Sequence, residues 1–500
     1  MSDEMYDLAV IGAGPGGYHS AIRAAQFGAK AALIEKENLG GTCLNWGCIP
    51  TKALYASSAL IQKIREHGED FGVKCSVELD FAKAVERKNK IVRELVDGIG
   101  QLEKGWKNDV FMGHGKIVGG DTNSGFDIEI EGEDNTTIKA KRIIIATGSS
   151  PALIPAFNID HERILTSDDI LHPDFKEVPE RLLIIGAGVI GCEFGNIFAT
   201  FGSKVTMLEY LPSPIATEER MVIRELQKKF DELDIELHVS QNVLSVENTG
   251  DGVKATTCSA DVPRDEVEGA EKNIFEADYC LVSIGRAKES SNLGLEEMGI
   301  GTERGAIKVN PDTLETDCKG IYAIGDVTGG VMLAHVASYE GDVAVNNALT
   351  SIGGFPTHHE TTDYTVVPAT IFTSPNIGSV GMRRSDAKDK GIDVAMGRFP
   401  FQSLGKAKCM GEEEGFIMIL ANKDNGEIIG ASCIGAEAPE LISEIALAMK
   451  HGLTIQDVSE VIHSHPTISE MVLEGAEDVF GMAIHRKGRP DLDLHKKLKE

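Results

Sequence analysis

Residues 6–17 read YDLAVIGAGPGG, a run of apolar residues that ends in glycines. An Ala-rich segment follows up to Gly28, and a second apolar run, residues 31–34, leads directly into Glu35. A strand, a glycine turn, a helix and a second strand that ends on an acid are the elements of a dinucleotide-binding fold. Their order predicts a doubly wound α/β domain at the start of the chain.

Each glycine of this first turn has a separate expected task. We expect Gly12 to make the turn, Gly14 to let the backbone approach a pyrophosphate, and Gly17 to let helix and strand pack closely. The carboxylate of Glu35 would accept a hydrogen bond from a ribose hydroxyl. Because a turn that is merely tight would leave this acid unexplained, the pattern predicts a nucleotide site.

The same unit recurs further along the chain. Residues 181–185 are apolar, residues 186–191 read GAGVIG, a helical pattern covers about 192–201, and the apolar run 204–208 ends on Glu209. The spacing from the first glycine to the acid is equal in the two units, so we predict two dinucleotide sites.

The acid of the second unit also predicts which dinucleotide binds there. The glycines of this turn are Gly186, Gly188 and Gly191. Glu209 would accept from a free ribose 2′-hydroxyl and would repel a 2′-phosphate, which is usually bound by arginine. The second site is therefore expected to prefer NAD over NADP.

Residues 40–52 read GGTCLNWGCIPTK and carry a close pair of cysteines, Cys43 and Cys48. On an ideal helix, residues five positions apart have Cα atoms roughly 8.7 Å apart, whereas a disulfide requires about 4.4–6.8 Å. The pair can therefore bond only across a distorted turn. Pro50 suits such a turn because it has no N–H for the carbonyl of Trp46. We predict a strained, reactive disulfide stacked on a flavin.

Two later strands end on residues suited to a cofactor. Residues 146–149, ATGS, follow a buried strand and bring the amides of Thr147 and Gly148 towards a ligand. Residues 321–326, IYAIGD, stop on Asp326, whose carboxylate can accept from a cofactor hydroxyl. The next helix, whose N-terminal amides offer an anion or carbonyl site, opens with Met332, Leu333, Ala334 and His335. For His335 we expect a helix-end role rather than a catalytic one.

Near the C-terminus, His465 precedes Pro466, and Glu470 begins a helical run. Glu470 is close enough in sequence to orient the His465 imidazole as a general base. The alternatives for His463 and His465 are a structural loop or a metal pair, and the lack of a third ligand nearby argues against a metal.

Beyond residue 355 the sequence changes to alternating strands and long helices without a glycine fingerprint. An α+β domain without its own cofactor often joins subunits, so we expect a homodimer. The predicted fold class is α/β, with two Rossmann-like domains and a C-terminal α+β dimerisation domain. Strands are predicted near residues 369–373, 397–401, 415–421 and 428–434, and helices near 439–452, 455–461 and 469–476.

Composition excludes several classes of function. A formal net charge of −29 over 500 residues argues against nucleic acid and anionic membranes as partners. No run of 18 apolar residues exists, and the first strand leaves no room for a signal peptide, so we expect a soluble, cytoplasmic protein. The nine cysteines are irregularly spaced, unlike a secreted disulfide framework. Those outside the close pair are expected to be inert thiols, most of them buried.

Together, the two fingerprints, GGTCLNWGCIPTK, AIGD, MLAH and HSHPTISE resemble the two-dinucleotide-binding disulfide oxidoreductases over nearly the whole chain. Within that family the chain is most similar to the dihydrolipoamide dehydrogenases. Glutathione reductases generally carry basic residues where Glu209 stands, mercuric reductases usually end in vicinal cysteines, and the soluble transhydrogenase lacks the redox pair. Two features depart from the family. Residues 285–288 read GRAK instead of Gly-Arg-x-Pro, and the charged tail, residues 485–500, has no counterpart.

The resemblance implies FAD in the first site and NAD in the second. Lys52 would sit by the isoalloxazine N5 and would pair with Glu193. The implied FAD contacts are Gly12, Gly14, Gly17, Glu35, Lys52, Gly115, Thr147, Gly148, Asp326, Met332, Leu333, Ala334 and His335. The implied NAD contacts are Gly186, Gly188, Gly191, Glu193, Glu209, Val243 and Gly285.

The resemblance also implies a reaction, in which dihydrolipoamide on a separate lipoyl-carrying protein is oxidised and NADH forms. Cys43 would exchange with the substrate, and Cys48 would face the flavin. His465 of the partner subunit would take a thiol proton while Glu470 orients its imidazole. Two alternatives stay open: a mainly docking role on a multienzyme core, and reduction of another disulfide or of a metal.

The predicted division of the chain follows from Pro151 and Pro155, from the end of the second unit near Gly285 and from the change of pattern after Phe355. It comprises a first FAD-binding part at 1–155, an NAD-binding domain at 156–286, a second FAD-binding part at 287–355 and an interface domain at 356–500.

Overall fold

A computed structural model describes residues 5–499. The strands of its first region are β1 (Tyr6–Ile11), β2 (Ala31–Glu35), β3 (Asp109–Asp121), β4 (Gly125–Gly132), β5 (Thr136–Ile145) and β6 (Ser149–Pro151). The helices are α1 (Pro15–Gln26), α2 (Gly41–Asn45), α3 (Cys48–His67) and α4 (Phe81–Trp106). Strand β1 lies between β2 and β5, and all three are parallel. Strand β1 is buried on both faces, because one face packs on α1 and the other packs on β3 and β4.

The second glycine unit builds a separate parallel sheet. Its region contains β7 (Ile164–Leu165), β8 (Arg181–Ile185), β9 (Lys204–Leu208), β10 (Glu236–His238), β11 (Gln241–Asn248), β12 (Val253–Ser259), β13 (Asn273–Ala277), β14 (Tyr279–Val282) and β15 (Arg286–Lys288). Its helices are α5 (Ser167–Leu171), α6 (Val189–Phe201) and α7 (Arg220–Glu232). The parallel order is β10-β9-β8-β14-β7, and β11-β12-β13 form an antiparallel side sheet.

The chain then returns to the first sheet. This segment contains β16 (Thr302–Glu303), β17 (Ala306–Ile307), β18 (Ile321–Ala323) and α8 (Ala334–Ile352). Strand β18 pairs in parallel with β5, so the ends of these two strands meet at one edge. Helix α8 lies tightly on α1, since a Cβ added to Gly341 would stand 2.7 Å from the hydroxyl oxygen of Ser20.

The C-terminal region is an antiparallel sheet with helices. It contains β19 (Ala369–Ile371), β20 (Ile377–Gly381), β21 (Val394–Pro400), β22 (Phe416–Asn422), β23 (Ile428–Ile434), α9 (Arg384–Asp389), α10 (Gly405–Met410), α11 (Ala438–Lys450), α12 (Ile455–Ser459) and α13 (Glu470–Val479). The sequence patterns missed β20, whose two glycines weaken its strand signal. Gly378 is required there because an added Cβ would lie 2.6 Å from the carbonyl oxygen of Ala438 in α11.

The charged tail folds back onto this region and ends in α14 (Leu492–Lys499). Leu494 is buried, and the edge of the His495 ring meets Phe480 with ring centres 5.1 Å apart. Lys497 donates to the carbonyl of Lys423 at 3.0 Å. The sequence predicted no structure here, because the apolar positions of the tail are few and their partner is distant in the chain.

One hydrophobic core joins the three regions. Leu54 of α3, Phe81 of α4, Phe198 of α6 and Met418 of β22 belong to the same buried cluster. Within residues 5–499, every helix is too short or too polar to cross a membrane.

Candidate active site

The two acids that close the glycine units have the same surroundings. Glu35 accepts from the N–H of Ala13 at 2.7 Å, and Glu209 accepts from the N–H of Ala187 at 2.6 Å. Each also accepts from the N–H two residues further along, at 2.8 Å in both cases. Sequence reasoning missed this bracing of the turns. A carboxylate has about four lone-pair sites, so both acids can still accept from a ribose.

The glycines of the two turns divide into two kinds. A Cβ added to Gly14 or Gly188 would meet nothing within 4 Å. A Cβ on Gly17 or Gly191 would instead lie 1.8 or 2.0 Å from the carbonyl oxygen of the first glycine of its own turn. The middle glycines therefore leave room for a ligand against the backbone, and the third glycines serve packing. We call the two turns, residues 12–17 and 186–191, the first and second cradle. They fit the pyrophosphates of FAD and NAD.

The redox pair lies directly on the first turn. Gly41, which begins α2, is packed so closely that its added Cβ would be 2.6 Å from the Cα of Gly14. Helix α2 ends at Asn45, the backbone leaves the helical conformation, and α3 begins at Cys48. The cysteines are thus separated by a break between helices, which confirms the predicted distortion. The two cysteines are not bonded to each other in this structure, and their disulfide stays a prediction.

The pKa values of the two thiols are shifted in opposite directions. The hydrogen bond from Cys43, aided by the charge of Lys52, lowers the pKa of Cys48 to about 7 against the effects of burial and Glu193. The same hydrogen bond, together with burial, raises the pKa of Cys43 far above that of an ordinary thiol. Near neutral pH the arrangement therefore favours a thiolate at Cys48 and a protonated thiol at Cys43, and the thiolate is the reactive species.

An ion pair lies one helical turn beyond Cys48. Lys52 Nζ stands 2.8 Å from both carboxylate oxygens of Glu193, so the predicted pairing is present. Glu193 is buried, with 4% of its side chain exposed, and also accepts from the N–H of Phe372 at 2.9 Å. Helices α3 and α6 and the C-terminal region therefore converge on this pair. The contact from residue 372 left no local signal in the sequence.

A second polar chain, which sequence reasoning missed, starts at Arg286. Its Nε donates to the hydroxyl of Ser149 at 2.7 Å and its Nη2 to the Ser149 carbonyl at 2.6 Å. The Ser149 hydroxyl donates in turn to Asp326 at 2.5 Å. The sequence had marked residues 286–288 only for the missing proline. These hydrogen bonds fix the position of Asp326, whose role as an acceptor for a cofactor hydroxyl stays a prediction.

The histidine and glutamate of the C-terminal region form the predicted dyad geometry. His465 Nδ1 lies 2.8 Å from Glu470, whose other oxygen accepts from the N–H of Thr467 at 2.9 Å. Although burial opposes it, these bonds lower the pKa of Glu470. The His465 side chain is 77% exposed, so its remaining ring nitrogen is free to meet another molecule.

The neighbouring histidine points elsewhere. His463 Nε2 pairs with Glu444 at 3.0 Å, so the two histidines do not share a ligand position. Across the described part of the chain, no three His, Cys, Asp or Glu side chains are grouped to hold a metal ion.

The other predicted contacts vary in surroundings. Gly148 and Gly285 have open space where a Cβ would be, while Gly115 packs against the side chains of Ile34 and Ile11. Thr147 donates to the Glu289 carbonyl at 2.6 Å, and His335 bonds the Pro368 carbonyl at 2.9 Å, as a helix-end residue does. Ala334 is the first residue of α8, and Met332 and Leu333 lie just before it. Val243 lies on β11 and is half-buried.

Of the cysteines outside the pair, four of seven are buried, as expected: Cys192, Cys258, Cys280 and Cys433. Burial raises the pKa of Cys192, Cys280 and Cys433. These thiols are therefore poor nucleophiles.

Two family models match the chain. Residues 6–341 match the pyridine nucleotide-disulphide oxidoreductase model, and residues 367–476 match the dimerisation domain of pyridine nucleotide-disulphide oxidoreductases.

Similar proteins agree with these matches. A dihydrolipoyl dehydrogenase of Chlamydia muridarum is 42% identical over 478 residues, which is 95% of this chain and 97% of that protein. One of Bacillus subtilis is 40% identical over 486 residues, 96% of this chain and 99% of that protein. Among solved structures, LpdA from Mycobacterium tuberculosis superposes with a TM-score of 0.84 at 26% identity, covering 94% of this chain and 99% of that one. The HOCl-induced flavoprotein disulfide reductase RclA from Escherichia coli gives 0.81 at 26% identity, covering 94% and 99%.

Proposed function

The chain belongs to the pyridine nucleotide-disulphide oxidoreductases, and we propose that it works as a dihydrolipoyl dehydrogenase. It oxidises the dithiol of dihydrolipoamide to the cyclic disulfide and reduces NAD to NADH. The observation that carries this function is the cysteine pair on the first nucleotide turn, in which the pKa of Cys48 is lowered and that of Cys43 is raised. Likeness to dihydrolipoyl dehydrogenases over nearly the full length supports the choice of substrate.

FAD and NAD are the cofactors of this family, and the residues of the two cradles fit them. When bound, FAD accepts the electron pair of the reduced cysteines and hands it to NAD as hydride. The chain holds the first dinucleotide through the turn at Gly14 and the acid at Glu35. Lys52, fixed by the buried Glu193, puts a positive charge beside Cys48.

The cysteines carry the exchange with substrate. In the oxidised enzyme, a substrate thiolate attacks the sulfur of Cys43, the Cys43–Cys48 bond breaks, and Cys48 leaves as a thiolate. The low pKa of Cys48 makes it the better leaving group of the two. The second substrate thiolate then attacks the mixed disulfide, which releases lipoamide and leaves Cys43 to take up a proton.

His465 and Glu470 supply the proton transfers. Each substrate thiol must lose a proton before its sulfur attacks, and the exposed imidazole of His465 is placed to take it. Glu470 fixes the Nδ1 proton of that imidazole and stabilises the imidazolium. The matching dimerisation domain supports a homodimer. We propose that His465 of the partner subunit completes each site.

The second cradle selects the nucleotide. Glu209 is buried and accepts from two backbone N–H groups, and we propose that it also accepts from a ribose hydroxyl and repels a 2′-phosphate. Val243, Gly285 and the glycines at 188 and 191 are the other proposed NAD contacts. This arrangement supports NAD as the acceptor.

The partner and location belong to the same proposal. The proposed carrier of the dithiol substrate is a separate lipoyl protein, and the likeness to dihydrolipoyl dehydrogenases supports this choice. The bacterial relatives support a cytoplasmic location. The division at residues 155, 286 and 355 is also proposed, and the return of β18 to the first sheet supports it.

A substrate panel tests the proposed function. The purified enzyme is assayed with lipoamide, glutathione disulfide and mercuric ion, each with NADH and with NADPH. We expect rapid reduction of lipoamide with NADH and little turnover of the other pairs. A preference for glutathione disulfide or mercuric ion, or for NADPH, would contradict the assignment. Normal docking to a multienzyme core without turnover would favour a purely structural component.

A further inference from the structure

Helix α13 carries a row of acids that begins with the dyad glutamate. Glu470, Glu474 and Glu477 stand at spacings of four and three residues, so they share one face of the helix. The Glu474 side chain is buried, with 7% exposed. Like charges at this spacing repel one another, and burial increases the cost. The row therefore requires a counter-charge close to it.

That counter-charge comes from the tail. The ring nitrogen Nδ1 of His485 lies 2.5 Å from one carboxylate oxygen of Glu474, and the backbone N–H of His485 donates to the other oxygen at 3.2 Å. The hydrogen bond and charge of Glu474, with smaller effects of Glu470 and Glu477, raise the pKa of His485. The charge of His485 in turn acts on Glu470, whose pKa it helps to lower.

The arginine next to His485 is already paired. Arg486 binds Asp478 and the carbonyl of Arg398, so its guanidinium is engaged at the far end of α13. On the near side, His465 is the other titratable group that contacts Glu470. His485 is therefore the cation that contacts the acidic row at Glu474, one helical turn from the dyad glutamate.

We propose that His485 is a positioning residue, whose imidazolium sets the pH at which the His465–Glu470 pair takes up a proton. The inference rests on the proposed function of that pair as the acid-base group. A positive charge beside the pair disfavours a further proton on it, so the pair stays ready to accept a thiol proton down to lower pH. Loss of this charge makes the pair bind its proton at higher pH.

Three variants separate charge from structure. His485→Gln removes the charge but keeps a side chain that can donate a hydrogen bond to Glu474. His485→Lys keeps the charge. His495→Gln is the matched control, since His495 lies on the same tail and contacts the Phe480 ring instead of the acidic row.

The readout is the acid limb of kcat/KM against pH, measured with dihydrolipoamide and NAD. In H485Q the limb is expected to move to higher pH by about half a unit, the effect of one partly screened charge at this range. H485K and H495Q are expected to keep the wild-type limb. An unmoved limb in H485Q, or an equal move in H485K, would overturn the proposal, because a purely structural anchor lowers stability without moving the limb.

A second measurement separates this inference from the proposed function. The imidazole of His465 is titrated by NMR in the wild-type holoenzyme and in H485Q, without substrate. A higher titration midpoint in H485Q supports the inference even if dihydrolipoamide is not the substrate. An unchanged midpoint refutes it, whether or not the enzyme turns over dihydrolipoamide.

Discussion

Replacement of Cys43 by alanine tests how far the hydrogen bond from Cys43 lowers the pKa of Cys48. The hydrogen bond from Cys43 is the largest influence that lowers the pKa of Cys48 to about 7 from the ordinary 9.0. At pH 7.5 a thiol with a pKa of 7 is about 75% thiolate, and one with a pKa of 9 is about 3% thiolate. Since Lys52 remains, we expect C43A to lower the thiolate fraction of Cys48 by about tenfold.

The assay follows alkylation of Cys48 with iodoacetamide against pH in the reduced holoenzyme. Peptide mass spectrometry reads each cysteine separately, with the exposed Cys75 and Cys409 as internal references. The midpoint for Cys48 should rise by about one to two pH units in C43A, because only the thiolate reacts. Cys43→Ser keeps a hydroxyl donor and should give a smaller rise.

Equal midpoints for wild type and C43A would refute the reasoning. The acidity of Cys48 would then come from Lys52 alone, and Cys43 would have no part in preparing the thiolate. Lys52→Met separates these cases, since it removes the charge and leaves the Cys43 donor in place.

The remaining predictions concern the cradle, the dyad and the nucleotide. Gly14→Ala should fold normally but retain little FAD, whereas Gly17→Ala should fold poorly, because its methyl group would overlap a backbone oxygen. FAD absorbance measures cofactor retention and thermal melting measures stability. Equal stability of the two variants would contradict the packing role of Gly17. His465→Gln should lose about 10²–10⁴-fold in dihydrolipoamide oxidation while reduction of an artificial acceptor by NADH is largely spared; equal losses would count against a base. Glu209→Gln should raise the NADP to NAD ratio of kcat/KM by about tenfold, and an unchanged ratio would remove its selecting role.

Local patterns were enough to predict the two glycine units and the break between the cysteines. A strand, turn and helix within a few tens of residues make their own contacts, so β1, α1 and β2 form where their apolar runs predict. The predicted pairing of Lys52 with Glu193 came instead from a family likeness, because the two residues are far apart in the chain. The structure supplies the reason that it holds, since α3 packs on α6.

Contacts between distant segments could not be predicted in the same way. Arg286 reaches Ser149 because β15 pairs with β6, and nothing in the local sequence of either strand encodes that pairing. Likewise, Glu474 meets His485 only after the tail has folded back onto α13. Strand β20 was missed because its glycines, which α11 requires for close packing, remove the usual strand signal.

The most direct test of the account is the fate of the cysteine pair in a single half-reaction. The oxidised holoenzyme is mixed with one equivalent of dihydrolipoamide without NAD, quenched with alkylating reagent, and mapped by mass spectrometry. We predict that lipoamide forms while Cys43 and Cys48 become newly alkylated, and that labelling of the other cysteines, including the exposed Cys75 and Cys409, stays as it was before dihydrolipoamide was added. Formation of lipoamide with this pair still unlabelled, or labelling of other cysteines in their place, would contradict the account.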